Sequence, residues 1–527
     1  MPRKNLRHAV SAALRARASQ PVGAWGTAAR VGTAAALLAF GGAAYAQQAP
    51  DGPNGQAPAQ VGELEEVVVT GIRRSIETAI EAKREATSIV EAISAEDLGK
   101  LPDTSIADSL SRLPGLTSQR AEGRASAISL RGTDPGFTST LLNGREQVST
   151  GDNRGVEFDQ YPSELLSAVL VYKTPDAQLI GQGLAGTVDL RTQRPLDYGR
   201  RAVAFNIRGE QNSNDDLGAD ADERGYRISL SYIDQFLDDR LGVAVGVARL
   251  NSPLAVRGFG TYEPWSAWNP NPGQPNFNAA VPRGTFITNG AKVRSDMGEN
   301  TRDGAMAAIQ FKPNDAYETM LDVYYTKREQ ENNARSLEVN LGDYPGPCCD
   351  GPFPAGTQFG YANPVVVDNV LVGASLINRV PLARNFLFTT DDEIFAAGWN
   401  NKFTFGEWRL TADLSYSKAE RDEVQYETNA QIVPQNVPGQ ARNIYDNGTI
   451  ALRSDDFSTL TFTRNYADPA TVQVGPTIYG AGYSKIPSTT DELTSFRLDL
   501  DRAIDWWWFD GASVGLNYAD RSKDKVQ

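Results

Sequence analysis

The chain changes hydrophobic rhythm near residue 200. Beyond it, apolar and polar positions alternate. Tyr226, Ile228, Leu230 and Tyr232 alternate with Arg227, Ser229 and Ser231, and Leu241, Val243, Val245 and Val247 with Gly242, Ala244 and Gly246. The same period runs through 317–325, 408–416 and 496–500. A period of two is a strand with two unlike faces. The pattern predicts strands near 200–210, 224–233, 240–250, 302–312, 316–328, 392–404, 407–418, 492–503 and 510–521. They run about 10–12 residues, enough for a tilted strand to cross a bilayer, whereas soluble sandwich strands are nearer about 5–6. The charged residues on the second face suit a watery lumen. The linker 211–223 is of medium length. After it, short connections (234–239, 313–315, 405–406, 504–509) alternate with long ones (251–301, 329–391, 419–491). Outer-membrane barrels alternate in this way, with short periplasmic turns and long external loops. Trp506, Trp507, Trp508 and Phe509 lie at a short turn, where an interfacial girdle belongs.

From about 74 to 195 the texture is mixed. Residues 75–87 have helical spacing, with Ile76, Ala79, Ile80 and Lys83 in step. Residues 105–113 read as a second helix, with Ile106, Leu110 and Leu113 on one face and Pro114-Gly115 as its stop. Strands are expected at Ile128-Ser129-Leu130, at Thr140-Leu141-Leu142 before the turn signal Asn143-Gly144, and from Gly186 to Leu190. Residues 163–173 read as a helix running into a strand at 169–172. The strands at 128–131 and 186–190 are expected to share a small sheet.

The start of the chain reads as an export signal. Residues 1–46 hold six basic residues and no acid, then a short apolar run ending in Ala44-Tyr45-Ala46. Cleavage after Ala46 would leave 47–62 as a Gln-, Pro- and Gly-rich linker. Without those six bases the net charge moves from −14 to −20, with 45 bases against 65 acids. So acidic a chain is a poor candidate for nucleic acid. No later stretch is apolar enough for a spanning helix, which leaves a closed barrel as the membrane solution. The single histidine, His8, lies in the signal, so a Ser-His-Asp triad or a histidine-held metal is excluded from the rest. No cofactor is expected. Adjacent Cys348 and Cys349, the two cysteines of the sequence, would form a strained vicinal disulfide or pair with cysteines in sequence missing from this chain.

Shortly after the linker come Glu66, Val67, Val68, Val69 and Thr70. This is a short β-branched strand with nothing local to pair with, suited to adding onto a partner's sheet edge. It resembles the TonB box of TonB-dependent outer-membrane receptors. Residues 64–195 resemble their plug domain in the order and spacing of 106–116 (IADSLSRLPGL), 128–132 (ISLRG), 141–145 (LLNGR) and 181–190 (GQGLAGTVDL). Residues 71–75 (GIRRS) and 91–97 (EAISAED) resemble a proteobacterial subgroup often linked to carbohydrate uptake.

The resemblance implies an α+β plug domain (74–195) inside an antiparallel transmembrane β-barrel of about 22 strands. About nine are legible in 200–527, an incomplete barrel, so the chain reads as an N-terminal fragment. It implies a signal peptide at 1–46, a linker at 47–62 and the box region at 63–73. It further implies a non-enzymatic receptor that imports a scarce ligand, with TonB and its inner-membrane energising complex, outer-membrane lipid and a small molecule as partners. An oligosaccharide is the favoured ligand. A ferric siderophore or cobalamin is the alternative, and a secreted carbohydrate-binding or hydrolytic protein a distant one.

Two plug stretches correspond by position to ligand-facing apical loops: 119–126, with Arg120, Glu122 and Arg124, and 148–160, with Asp152, Asn153 and Arg154. The bland alternative is a pair of solvated loops. Tyr262, Trp265 and Trp268 in the linker 251–301 have flat faces suited to sugar rings. The same composition fits a loop packed on its neighbours. By the family's plug–barrel pairing, Arg131 and Arg191 are candidates to ion-pair with lumen acids such as Asp413 or Glu318.

Overall fold

The computed structural model describes residues 88–94, 105–121, 124–180, 183–214, 223–268, 278–341, 360–432, 445–475, 480–507 and 509–527, with a few isolated positions besides. The export signal, the linker, the strand 66–70, Glu122 and the cysteine pair lie outside the described residues.

The N-terminal part is a small α/β body. Strands β1 (Val90–Ser94), β4 (Thr138–Leu142), β5 (Arg145–Glu146), β6 (Ala168–Tyr172) and β7 (Gly186–Arg191) form a mixed sheet in the order β1-β6-β7-β4-β5, with β4 and β7 parallel. Helix α1 (Ile106–Leu110) is capped by the Ser105 side chain, which accepts from Asp108 N, and it buries Ile106 and Leu110 completely. Strands β2 (Leu116–Ala121) and β3 (Arg124–Leu130) form a separate hairpin. The expected pairing of 128–131 with the 186–190 sheet is therefore corrected. Leu130 instead packs over Gly186, where a β-carbon would collide with it. The helix expected over 163–173 is only a 3-10 turn, Ser163–Leu165, before β6. Its β-branched residues Val169 and Val171 are fully buried between strands.

A short helix, α2 (Pro195–Tyr198), leads to the wall. Among the described residues, nine antiparallel strands follow in simple up-down order: β8 (Ala202–Gln211), β9 (Arg224–Phe236), β10 (Leu241–Tyr262), β13 (Gly290–Asn314), β14 (Tyr317–Asn340), β17 (Leu382–Phe405), β18 (Trp408–Ile432), β23 (Ser488–Trp506) and β24 (Phe509–Val526). Among the described residues the sheet is not closed, and β8 and β24 are its ends. Among the described residues no helix is long and apolar enough to cross a membrane.

Alternation sets the two faces. On β13, β14 and β17 the even-numbered residues Met306, Tyr324, Ile394 and Ala396 join the core of the α/β body. Ile309, Leu321, Phe395, Trp399 and Phe403 point the other way and are exposed. That outward apolar band begins at the short turns, beside Trp408 and Trp507, and ends at outward ion pairs such as Lys327–Glu329 and Lys418–Glu420. It has the composition of a lipid-facing belt.

The central strands run 22 to 25 residues, about twice the expected length. They continue past the belt, where β14 is mostly polar on both faces from Lys327 to Ser336 while Phe259, Ala291, Val293 and Val339 pack on the second sheet's core. The long connections are folded too. β11 (Ser266–Ala267), β12 (Phe286–Ile287), β15 (Gly360–Val367), β16 (Val370–Arg379), β19 (Asp446–Ala451) and β20 (Thr459–Phe462) make a second sheet, and β21 (Val472–Val474) and β22 (Gly482–Lys485) extend the edge of β18. The second sheet has its own core around Trp268, Tyr361 and Leu376.

Candidate functional site: the interface between the inner body and the wall

The turn between β4 and β5 delivers the central cation. Asn143 (φ 54°) and Gly144 (φ 78°) both adopt left-handed backbone, the geometry of a tight hairpin turn. Gly144 N donates to Asp189 Oδ1 (2.9 Å) and Asn143 Nδ2 to Thr192 Oγ1 (3.0 Å), which fixes the turn to β7. Arg145 then points into the wall. Its Nε and Nη2 each lie 2.8 Å from a separate oxygen of Asp413, and Nη1 lies 2.6 Å from Asp322 Oδ2. Asp322 is in register with Gly398, and Asp413 with Asn400, so the guanidinium straddles β17. Gly398 lies directly beneath it, and a β-carbon there would collide with the guanidinium. Burial pushes the Arg145 pKa down, but its bonds and charge pairing with Asp413 and Asp322 more than reverse this.

A second cluster lies farther from the short turns. Arg328 on β14 and Arg421 on β18 flank the buried Asp392 of β17, at 2.8 and 2.6 Å from their Nε atoms. Both also reach the inner body. Arg421 Nη2 lies 2.6 Å from Glu157 Oε2, and Arg328 Nη1 lies 2.6 Å from Asp159 Oδ2. Burial raises the Glu157 pKa, but Arg421 and Arg328 outweigh it and hold the carboxyl down at about 2. Arg302 Nη1 donates to the Asp159 carbonyl. Tyr161 stacks on Tyr324 at 5.6 Å.

Further contacts lie at both heights. Arg194, next to the short turns, pairs with Glu318. Arg227 pairs with Glu164 at 3.2 Å. On β23 and β24, Arg521 joins the fully buried Asp491 (2.7 Å) to Glu146 (3.0 Å), and Lys523 Nζ donates to the carbonyls of Ser149 and Asn153. Buried pairs of this kind are costly to break on one side only.

The lumen acids named from the sequence are used, but by other arginines. Asp413 takes Arg145 and Glu318 takes Arg194. Arg191 bonds Asp189 within its own domain at 2.9 Å, and Arg131 is exposed in the turn after β3. Arg191 emerges at the end of β7, and Arg131 lies in a left-handed turn (φ 56°). Arg145, Glu157 and Asp159 were not singled out. Their partners are charges that share one parity within each wall strand, even for Asp322 and Arg328 on β14 and Asp392 on β17, odd for Asp413 and Arg421 on β18.

The expected ligand residues are dispersed. Arg120 is exposed on β2 and bonds Asp108 at 2.8 Å. Arg124 is half-buried in the field of Asp159 and Glu210. Asp152 meets Lys525, the Asn153 side chain accepts from Gly155 N, and the exposed Arg154 bonds Glu146. Tyr262 donates its hydroxyl to Glu338 at the outer end of the wall, with Lys292 over its ring. Trp265 is half-buried. Trp268 is buried edge-on against Tyr361 at 5.5 Å, inside the core of the second sheet.

Comparison with known proteins gives the inner body its family. Residues 82–188 match the model of the TonB-dependent receptor plug domain. Among solved structures, the chain is similar to the siderophore receptor PirA from Acinetobacter baumannii at 12% identity and TM-score 0.31, over 84% of this chain and 78% of that one. It is similar to BauA, the ferric preacinetobactin receptor from Acinetobacter baumannii, at 13% and 0.36, over 84% and 58%. It is also similar to the outer membrane transporter YddB from Escherichia coli at 11% and 0.33, over 82% and 57%. The chain thus spans less than two thirds of the latter two. Residues 82–188 thus form a TonB-dependent receptor plug domain, followed in this chain by an antiparallel wall of strands.

Proposed function

We propose that the protein is an energised importer of a neutral oligosaccharide. The observation that supports the importer part of this reading best is the ionic seating of the plug, and the oligosaccharide rests on the resemblance of residues 71–75 and 91–97. Arg145, Glu157, Asp159 and Arg194 hold the domain against the wall from several sides. A plug so anchored closes a pore until work is done on it. In this reading TonB supplies the work by pairing with Glu66, Val67, Val68, Val69 and Thr70 as an added strand. The segment reaches the periplasm after cleavage of the export signal. The chemistry is movement of a plug and not catalysis. Ligand enters from the side of the long connections, where Arg120, Glu122, Asp152, Asn153, Arg154, Tyr262 and Trp265 are the candidate contacts.

The test is uptake of radiolabelled maltotriose, cellotriose and xylotriose, against ferrichrome, in cells with and without TonB. The expected result is uptake of one neutral trisaccharide only where TonB is present. Uptake of ferrichrome alone would move the protein to the ferric-chelate receptors, and uptake without TonB would contradict the importer reading.

A further inference from the structure

A cavity of about 230 Å³ lies at the outer end of the wall, lined by Tyr262, Asn289, Glu338, Asn340 and Arg384, with Val339 and Leu382 as its apolar sides. The size is below the roughly 300–1,000 Å³ of drug-sized sites and suits a single ring. Its charges oppose each other. Arg384 Nη1 lies 3.5 Å from Glu338 Oε2, and Arg384 Nε donates to Asn429 Oδ1 at 3.2 Å. Glu338 also accepts from the Tyr262 hydroxyl and from Ser336 Oγ (2.7 Å). An anion meets Glu338 and a cation meets Arg384, so neither is favoured. A hydroxyl both donates and accepts, and it can use the carboxylate, guanidinium and amides together.

A second observation points to the same chemistry. On the same face, nearer the plug, are Asp296, Asn300, Asn332 and Thr390. All are buried, and among the described residues Asp296 Oδ1, Asn300 Oδ1, Asn332 Oδ1 and Thr390 Oγ1 have no hydrogen-bond partner. They share the even parity of Arg302, Arg328 and Asp392, whose side chains turn toward the plug. Buried acceptors without donors are destabilising until a donor arrives. From Glu338 to Asn332 is six residues of β14, about 20 Å at a strand's rise. The row therefore offers acceptors over the length of a short chain of rings.

We infer that the Tyr262–Glu338–Arg384 cavity is a subsite for one ring of a neutral polyhydroxylated ligand, the outer end of a hydroxyl-binding strip that descends to the plug. The inference rests on the oligosaccharide reading above. Titration calorimetry on the purified protein, with maltotriose, cellotriose, xylotriose and ferrichrome, tests it. Arg384→Gln and Asn340→Ala are expected each to weaken the bound trisaccharide ten-fold or more. Glu329→Gln, on the outward face, is expected to leave it unchanged, and thermal melting reports whether each variant folds. If Arg384→Gln fails to fold, Asn340→Ala alone decides. Unchanged affinity in the folded variants would overturn the subsite and leave the sugar reading standing. Binding of ferrichrome alone, or of neither class, by the unsubstituted protein would overturn both.

Discussion

Arg145 and Asp413, separated by 268 positions in sequence, meet through two parallel hydrogen bonds of 2.8 Å, Nε and Nη2 each to its own carboxylate oxygen. Planar guanidinium and planar carboxylate match in this geometry, and a lysine cannot reproduce it. Arg145→Ala would leave Asp413 and Asp322 facing each other without their cation. The expected cost is about 3–5 kcal/mol of plug seating, as for a buried pair broken on one side. Arg145→Lys should restore only a minor part. Protease sensitivity of the plug across a urea series measures both.

The glycine under that arginine is a separate test. Gly398→Val puts a branched side chain where the Arg145 guanidinium lies. Overpacking of this kind costs about 1–3 kcal/mol. The plug should loosen while the wall, whose hydrogen bonds are unaffected, keeps its heat-modifiable mobility on a gel. Combined with Arg145→Ala, the valine should cost much less than alone, because the collision is gone.

Acid should release the second cluster. The Glu157 carboxyl is held at about 2 in the folded state, below the roughly 4.3 of an unperturbed glutamate. A depressed carboxylate contributes stability that is complete above its unfolded pKa and lost as pH falls through the folded one. Plug seating should therefore be flat from pH 7 to about 5 and weaken between about 4.3 and 2. Hydrogen exchange of the 157–166 amides follows it. Glu157→Gln should weaken seating at neutral pH and flatten the slope in that window.

The wall strands were legible because each crosses the lipid belt with one apolar face. On β14 that signal runs from Tyr317 to Tyr325. At Lys327 the outward face becomes charged, the period of two vanishes, and the strand nonetheless continues to Asn340. Backbone pairing with β13 and β17 carries it there, and pairing leaves no mark on composition. In the second sheet the β15–β16 hairpin does carry a signal, apolar runs on either side of the Asp368-Asn369 turn, but it sits inside a connection read as loop, and β11, β12 and β20 are only two to four residues long. Trp268 shows the limit for candidate contacts. An aromatic among Asn and Pro reads alike whether it stacks on a ligand or on Tyr361. The lumen acids were legible as charges within strands. Their partners were not, because Arg145 is aimed by the Asn143-Gly144 turn and by Asp189 of another strand.

The most direct measurement of the import reading compares binding and uptake in the same cells for the unsubstituted receptor and for Val68→Pro. Proline removes a strand donor and fixes φ, so the segment 66–70 loses its capacity to add to a partner's sheet edge. Binding of the trisaccharide at the cell surface should be equal for the two, and its uptake by Val68→Pro should fall to the level seen without TonB. Normal uptake by Val68→Pro would contradict it.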